Sequence, residues 1–369
     1  MKPVIDVVAG ARPNFMKVAP ILRALEDSPF SSRLVHTGQH YDEGMSDIFF
    51  RQLGIRKPDV SLGVGSGSHG EQTARILSAF EKHLLSMEPR PRGILVVGDV
   101  NSTVACTLAA VKLGISVGHV EAGLRSFDRG MPEEINRLVT DAICDLHFVS
   151  EPSGEANLLR EGVASERIKL VGNVMIDTLV RELVAARELA MASKVGVRSQ
   201  SFGYVTIHRP SNVDTRERLA KVVTLLQDVA RLLPLVFPVH PRTRECLERF
   251  ELMGQLGGVR TLDPLGYRES LSLMDSSSFI LTDSGGIQEE ASHLQIPCLT
   301  LRFNTERPIT VSEGTNTLVG NDLSRVVPLV KEIQAGMYKK GKSISGWDGH
   351  ASERIVKVLV DTWMDSAGS

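Results

Sequence analysis

Short runs of Val, Ile and Leu recur from one end of this chain to the other, and each gives way to a longer stretch with helical spacing. That alternation leaves few folds open. Apolar runs this short and continuous are strands covered on both faces, and helices between successive strands make those strands parallel. The strands so read are Val4–Ala9, Arg33–His36, Ile94–Val97, Ile115–Val120, His147–Val149 and Ile168–Val171. After Gly172 the rhythm begins again with Tyr204–Ile207, Leu235–Val239, Phe279–Leu281 and Cys298–Leu301. Helical patterns fill the intervals at Phe15–Leu25, Gln72–Leu85, Thr103–Leu113, Glu133–Cys144, Arg216–Leu233 and Leu323–Gln334. The fold class is α/β.

A length of 369 residues suggests two or three domains. The helix-prone stretch 176–194 and the polar stretch 197–201 mark a boundary, which divides the chain into lobes at 1–172 and 173–345. The remainder, 346–369, ends in a helical pattern over Ala351–Trp363, read as crossing back to the first lobe. The economical architecture is two Rossmann-like lobes with a central cleft, in which ligands meet the C-terminal ends of the strands. A net charge of −2 gives no support to a nucleic-acid-binding surface. No apolar stretch is long enough to span a membrane, and Met1-Lys-Pro-Val4 leads into a strand rather than a signal peptide. The cysteines (Cys106, Cys144, Cys246, Cys298) have neither metal-ligand spacing nor a disulfide framework, so a cytoplasmic location is expected.

The run from His119 to Arg137 carries the densest chemistry. It gathers Glu121, Asp128, Glu133 and Glu134 with three arginines, just after a strand ending at Val120. Upstream, Ile94–Val97 ends in Gly98-Asp99. Carboxylates grouped where parallel strands run out suit proton transfer, because neighbouring acids push one another's pKa values apart.

Other strand ends offer cations and anion cradles. Gly10-Ala-Arg-Pro-Asn14 turns from the first strand into a helix, where Arg12 and the helix N-terminus favour an anion. Thr282-Asp-Ser-Gly-Gly-Ile-Gln-Glu-Glu290 opens another helix; Ser284, Gly285 and Gly286 leave N–H groups free for a diphosphate, and an acid one turn on can hold a ribose. His208-Arg209 and His240 end successive strands of the second lobe, Thr37-Gly-Gln-His-Tyr41 ends one in the first, and Arg302 and Arg307 follow the strand 298–301. There is no Walker A loop, no Gly-x-Gly-x-x-Gly after the first strand and no Gly-x-Ser-x-Gly elbow, which disfavours P-loop, nicotinamide and serine-hydrolase chemistry.

Taken in order, these blocks resemble the non-hydrolysing UDP-N-acetylglucosamine 2-epimerases. The blocks are Gly10–Pro13, Thr37–His40, Gly98-Asp99, His119–Arg125, Pro132–Arg137, Gly172-Asn173, His208-Arg209, Asp283–Glu290 and Thr305–Pro308. The resemblance implies the GT-B type of two-lobed fold, with UDP held mainly by the C-terminal lobe: the diphosphate on Ser284, Gly285 and Gly286, the ribose on Glu290, and Arg12 facing the phosphates from the other lobe. It assigns proton handling to Asp99, Glu121 and Glu133 and makes His208 essential. Lys17, Gln39, Arg137, Arg209, His240 and Arg307 complete the expected UDP-sugar contacts. The implied reaction is anti elimination of UDP to a 2-acetamidoglucal followed by re-addition, with no metal, nicotinamide or other cofactor. The expected partners are the UDP-sugar and a second copy of the chain, in a pathway supplying cell-surface polysaccharide.

The chain departs from the family pattern in several places. Asn14 stands where Glu is common, Pro210-Ser-Asn212 replaces an Arg-Glu found in many bacterial members, and the loop from Arg125 to Pro132 is shorter. Glu71 stands where members activated by a second substrate molecule place an arginine, so substrate activation is expected to be weak or absent. Alternatives remain at this stage: the same chemistry on UDP-2,3-diacetamido-2,3-dideoxyglucuronic acid, with Arg129 or Arg242 for its carboxylate, a hydrolysing epimerase, or a GT-B glycosyltransferase.

Overall fold

The structure, a computed structural model, describes residues 2–38 and 53–364. The chain forms two compact units, Met1–Arg181 with Ser345–Ser369, and Glu182–Ile344. In the first, strands β1 (Val4–Ala9), β2 (Ser31–His36), β3 (Val60–Ser61), β4 (Gly93–Val97), β5 (Ser116–Val120), β6 (Leu146–Val149) and β7 (Ile168–Leu170) make one parallel sheet in the order β3-β2-β1-β4-β5-β6-β7. Its helices are α1 (Arg12–Glu26), α2 (His69–Ser86), α3 (Asn101–Lys112), α4 (Pro132–Ile143), α5 (Pro152–Arg160) and α6 (Val174–Glu188). Every residue of β4 is buried, as helices on both faces require. The strand order reverses between β1 and β4, the switch point where α/β sheets bind ligands.

The second unit repeats the plan. Strands β8 (Gly203–Thr206), β9 (Leu235–Pro238), β10 (Val259–Leu262), β11 (Phe279–Thr282), β12 (Cys298–Thr300) and β13 (Asn316–Leu318) are ordered β10-β9-β8-β11-β12-β13, again all parallel. The longer helices are α7 (Arg216–Ala230), α8 (Pro241–Arg249), α9 (Tyr267–Ser276), α10 (Gly285–His293) and α11 (Val326–Gln334). In α7, Leu219, Val222, Val223, Leu226 and Val229 recur at helical spacing and pack with Val205, Phe237 and Leu281 of the sheet. The switch point here lies between β8 and β11.

Helix α12 (Ala351–Leu359) belongs to the first unit, where it packs on α1. Beyond it, the ring of Trp363 lies on Gly93, where a Cβ would meet it at 2.5 Å, so β4 must begin with glycine. The Arg92 Nε donates to the Trp363 carbonyl at 2.7 Å. The division between the units falls within α6 rather than at the expected 172/173. The physical reason is that the first turns of α6 bond into the first unit: Asp177 accepts the N–H groups of Ala351 and Ser352, and Thr178 donates to the Met16 carbonyl. Three strands were not foreseen, β3, β10 and β13, and all three are sheet edges. No helix among the described residues is long and apolar enough to cross a membrane.

Candidate active site

In the first unit the acids gather past the ends of β4 and β5. Gly98 turns the chain out of β4 with φ +68, and a Cβ there would lie 3.0 Å from the Lys17 Nζ. Glu121 leaves β5 with φ +69, a left-handed conformation uncommon for a non-glycine residue. Its N–H donates to the Phe148 carbonyl at 3.0 Å, which anchors the turn to β6. The buried carboxylate then meets Lys17 of α1, Oε2 to Nζ at 2.5 Å. Asn14 ties this corner together. Its Oδ1 accepts the N–H groups of Gly10 and Ala11 at 3.0 Å, and its Nδ2 donates to the Val97 carbonyl at 3.1 Å. An ionised Glu could not donate that last bond, so Asn14 joins the loop after β1 to the end of β4 in a way the commoner residue cannot.

Asp99 is 31% exposed and pairs with Arg137 of α4, whose side chain is 3% exposed. Arg137 also binds Glu134, Nη2 to Oε2 at 2.7 Å. Glu134 in turn accepts the N–H groups of Ser126 and Phe127. Burial works to raise the Glu134 carboxyl, but the Ser126 N–H and Arg137 outweigh it and hold it below the usual range. One buried acid therefore fixes Arg137, and through it Asp99, while pinning the loop that carries Phe127 at φ +58. Glu133 stands half-buried in the first turn of α4. Lys17, Asp99, Glu121 and Arg137 are thus brought to one edge of the sheet. Arg12 heads α1, and Gln39 lies outside the described residues.

Behind this edge, His119 is wholly buried, with Nδ1 2.6 Å from Asp141 and Nε2 2.8 Å from the Gly98 carbonyl. Burial opposes ionisation of Asp141, yet His119, Arg125 and the Gly123 N–H bring its pKa down to about 2. His119, Asp141 and Cys144 are the one set of metal-ligand types that comes together among the described residues. His119 and Asp141 already satisfy each other, and burial pushes the Cys144 thiol well above its ordinary value, which disfavours the thiolate a metal needs.

In the second unit, α10 begins at Gly285 after an extended Ser284. The position where a Gly285 Cβ would stand is 3.3 Å from the Arg307 Nη1 and 3.8 Å from the Arg302 Nη1. The first N–H groups of the helix and two guanidinium groups therefore share one small region, the chemistry of an anion site. Buried acids hold the arginines from behind: Glu289 meets Arg307 Nε at 2.6 Å, and Glu306 meets Arg302 Nη2 at 2.7 Å. Burial opposes the Glu306 charge, but Arg302 brings its pKa down to about 2. Glu290 is buried and accepts the Tyr267 hydroxyl at 2.9 Å. Burial raises its pKa to about 7; Tyr267 opposes that rise and Glu289 adds to it.

His208 and Arg209 follow β8 and are both half-buried. Asp283 accepts both of their N–H groups and lies 3.3 Å from the His208 Nδ1. The ring of the exposed His240 is 5.2 Å from that of His208, and its Nδ1 caps α8 by accepting the Arg242 N–H. Arg242 itself is engaged by Asp214 through two bonds of 2.9 and 2.6 Å. The sequence reading assigned no role to Asn14, Glu134, Asp141, Tyr267 or the Asp283 carboxylate. Glu134 and Asp283 stood in the motifs already singled out and Asp141 one helical turn beyond Arg137, whereas Tyr267 had no local signal at all.

The chain matches a family model described as UDP-N-acetylglucosamine 2-epimerase over residues 23–360. It is 42% identical to the UDP-N-acetylglucosamine 2-epimerase of Methanocaldococcus jannaschii, over 96% of this chain and 98% of that protein. It is 40% identical to the UDP-2,3-diacetamido-2,3-dideoxy-D-glucuronate 2-epimerase of Pseudomonas aeruginosa, over 96% and 99%. A crystal structure of the M. jannaschii UDP-GlcNAc 2-epimerase in complex with UDP-GlcNAc and UDP superposes with a TM-score of 0.88 at 40% identity, covering 97% of this chain and 99% of that one. The two parallel sheets with interleaved helices are those of the GT-B-like epimerases.

Proposed function

Because the chain belongs to the UDP-N-acetylglucosamine 2-epimerase family, we propose that it interconverts UDP-N-acetylglucosamine and UDP-N-acetylmannosamine without net hydrolysis. The observation that carries this reading is the pair Asp99 and Glu121. They stand past the ends of neighbouring strands, each against its own buried cation. Two carboxylates in different settings can take a proton and return one.

The C2 hydrogen of the sugar is only weakly acidic, so a carboxylate needs early cleavage of C1–O. As that bond breaks, its electron pair leaves with UDP, the C2–H pair becomes the C1=C2 double bond, and the proton passes to the base. A second acid then protonates C2 from the other face while the UDP oxygen returns to C1. Asp99, Glu121 and Glu133 handle the proton, with Lys17 holding Glu121 and Arg137 holding Asp99. The Gly285 and Gly286 N–H groups, Ser284, Arg307 and Arg209 bear the diphosphate. His208, with His240 beside it, balances the charge of the departing group. Glu290 takes the ribose and Gln39 the sugar. No step calls for a metal or a nicotinamide.

Turnover of UDP-N-acetylglucosamine in D₂O, followed by proton NMR, tests this reading. The expected product is UDP-N-acetylmannosamine with deuterium at C2. A product that keeps its C2 hydrogen removes the elimination route, and free N-acetylmannosamine with UDP would make the enzyme a hydrolysing one. The P. aeruginosa relative supports a second reading, in which the sugar carries a C6 carboxylate. Of the arginines suited to it, Arg242 is committed to Asp214, which leaves the exposed Arg129. Offering both UDP-sugars in the same assay separates the two.

A further inference from the structure

The switch point of the second unit is closed from behind by one carboxylate. Asp283 is wholly buried at the end of β11. Its Oδ1 accepts the His208 N–H at 3.0 Å and faces the His208 Nδ1 at 3.3 Å. Its Oδ2 accepts the Arg209 N–H at 2.9 Å and the Asn212 Nδ2 at 3.0 Å. Asn212 also donates to the Leu301 carbonyl, so the turns after β8, β11 and β12 are bound to one another here. The next residue, Ser284, leads into α10.

We propose that Asp283 is the positioning residue for His208, fixing the imidazole with Nδ1 inward and Nε2 outward and sustaining its positive charge beside a departing diphosphate. This rests on the reading of His208 given above. The geometry makes the case first. A carboxylate facing Nδ1 places the proton there, which leaves Nε2 as the nitrogen that meets a ligand. A neutral acceptor could tie the backbone turns together. Only an anion also favours a charged ring.

The surrounding charges sharpen the point. Burial pushes His208 down; Asp283 opposes that, while Arg209 and Arg242 add to it. Arg242 is itself bound to Asp214, and the neighbouring His240 ring accepts the Arg242 N–H. The balance leaves the ring below its ordinary value, and without Asp283 burial and the two arginines act against the imidazolium unopposed by it.

The test is a double-mutant cycle of Asp283→Asn and His208→Asn, read as kcat, KM, a kcat–pH profile and UDP affinity by calorimetry. Asp283→Asn should lower kcat roughly 10- to 100-fold, the usual scale for an outer partner of a functional histidine, with little change in UDP affinity. If the charged ring is the active form, activity is lost as pH rises through its pKa, so the descending limb should move to lower pH in Asp283→Asn. Adding Asp283→Asn to His208→Asn should cost little more, because the two act as a unit. Independent, multiplying losses, or an unmoved pH limb, would overturn the assignment. Full activity of His208→Asn would overturn the reading of His208 itself, whereas a crippled His208→Asn beside a normal Asp283→Asn overturns only the role of Asp283. Nitrogen-15 NMR of the unsubstituted protein, with His208 assigned by its loss in His208→Asn, needs no change at Asp283. Wherever pH leaves the ring neutral, its proton is expected on Nδ1, and a neutral ring protonated on Nε2 refutes the proposal.

Discussion

The two units carry the same strand order to their switch points, β1/β4 in one and β8/β11 in the other, yet they present opposite charge there. In the first, Asp99 is 31% exposed and its partner Arg137 only 3%. In the second, Arg307 is 10% exposed and its partner Glu289 only 1%. Both edges are built from buried ion pairs, and the outward member of the pair sets the sign. Sheet topology thus decides where a ligand binds, while the packed side of each pair decides what charge it meets. Glu121 is the instructive exception: at 4% exposure it is deeper than Lys17, and it reaches its position through a left-handed turn rather than an outward side chain.

The largest effect that can break this comparison is at Arg307. Arg307→Met leaves Glu289 buried without its cation, which should cost about 3–5 kcal/mol of stability and weaken UDP binding. Denaturant unfolding with calorimetry would show both, and intact UDP affinity would mean that Arg307 does not face the ligand. Next is the pH dependence of stability from Glu290. Its carboxyl is raised from 4.5 to about 7, chiefly by burial. The folded chain therefore holds the proton more tightly than the unfolded one. The stability this contributes is complete below about pH 4.5 and is lost as pH rises through about 7, at most about 3 kcal/mol. Glu290→Gln should abolish that loss, so its melting temperature relative to the unsubstituted protein should climb across this window; a constant difference would refute the assignment.

On the acid side, Glu121→Gln should lower turnover roughly a hundredfold or more while leaving UDP affinity nearly unchanged. Equal damage to both would blur the division of labour between the units. The reciprocal check compares Glu290→Ala with Asp99→Ala by calorimetry. Glu290→Ala should weaken UDP by about tenfold, the scale of one charge-assisted hydrogen bond, and Asp99→Ala much less. The smallest effect concerns Glu71 and Pro210: velocity against substrate concentration should be hyperbolic, and a strongly sigmoidal curve would show that substrate activation survives these departures.

The most readable parts of the fold were the central strands, although the edge strand β7 was also legible. Strands β1, β4, β5, β8, β9, β11 and β12 are short, largely apolar runs, and their positions follow from that pattern. The edge strands β3, β10 and β13 are short and partly exposed, so their residues alternate or turn polar and the signal disappears. The candidate site divides in the same way. Gly98-Asp99, Glu121 and Ser284-Gly-Gly286 are visible because they punctuate buried strands. The pairings they make are not. Lys17 lies 104 positions from Glu121, and Tyr267 lies 23 from Glu290 on a different helix.

By itself the sequence determined a pair of parallel α/β sheets, the strand ends at which chemistry could gather and the residue types waiting there, because burial and helix spacing act on neighbours along the chain. Only the tertiary structure decided that Asn14 staples the loop after β1 to β4, that Glu134 governs Asp99 through Arg137, and that Asp283 stands behind His208. Each of these needs two or three elements to arrive together, and a buried charge acquires its partner, its orientation and its pKa only when packing has excluded water from around it.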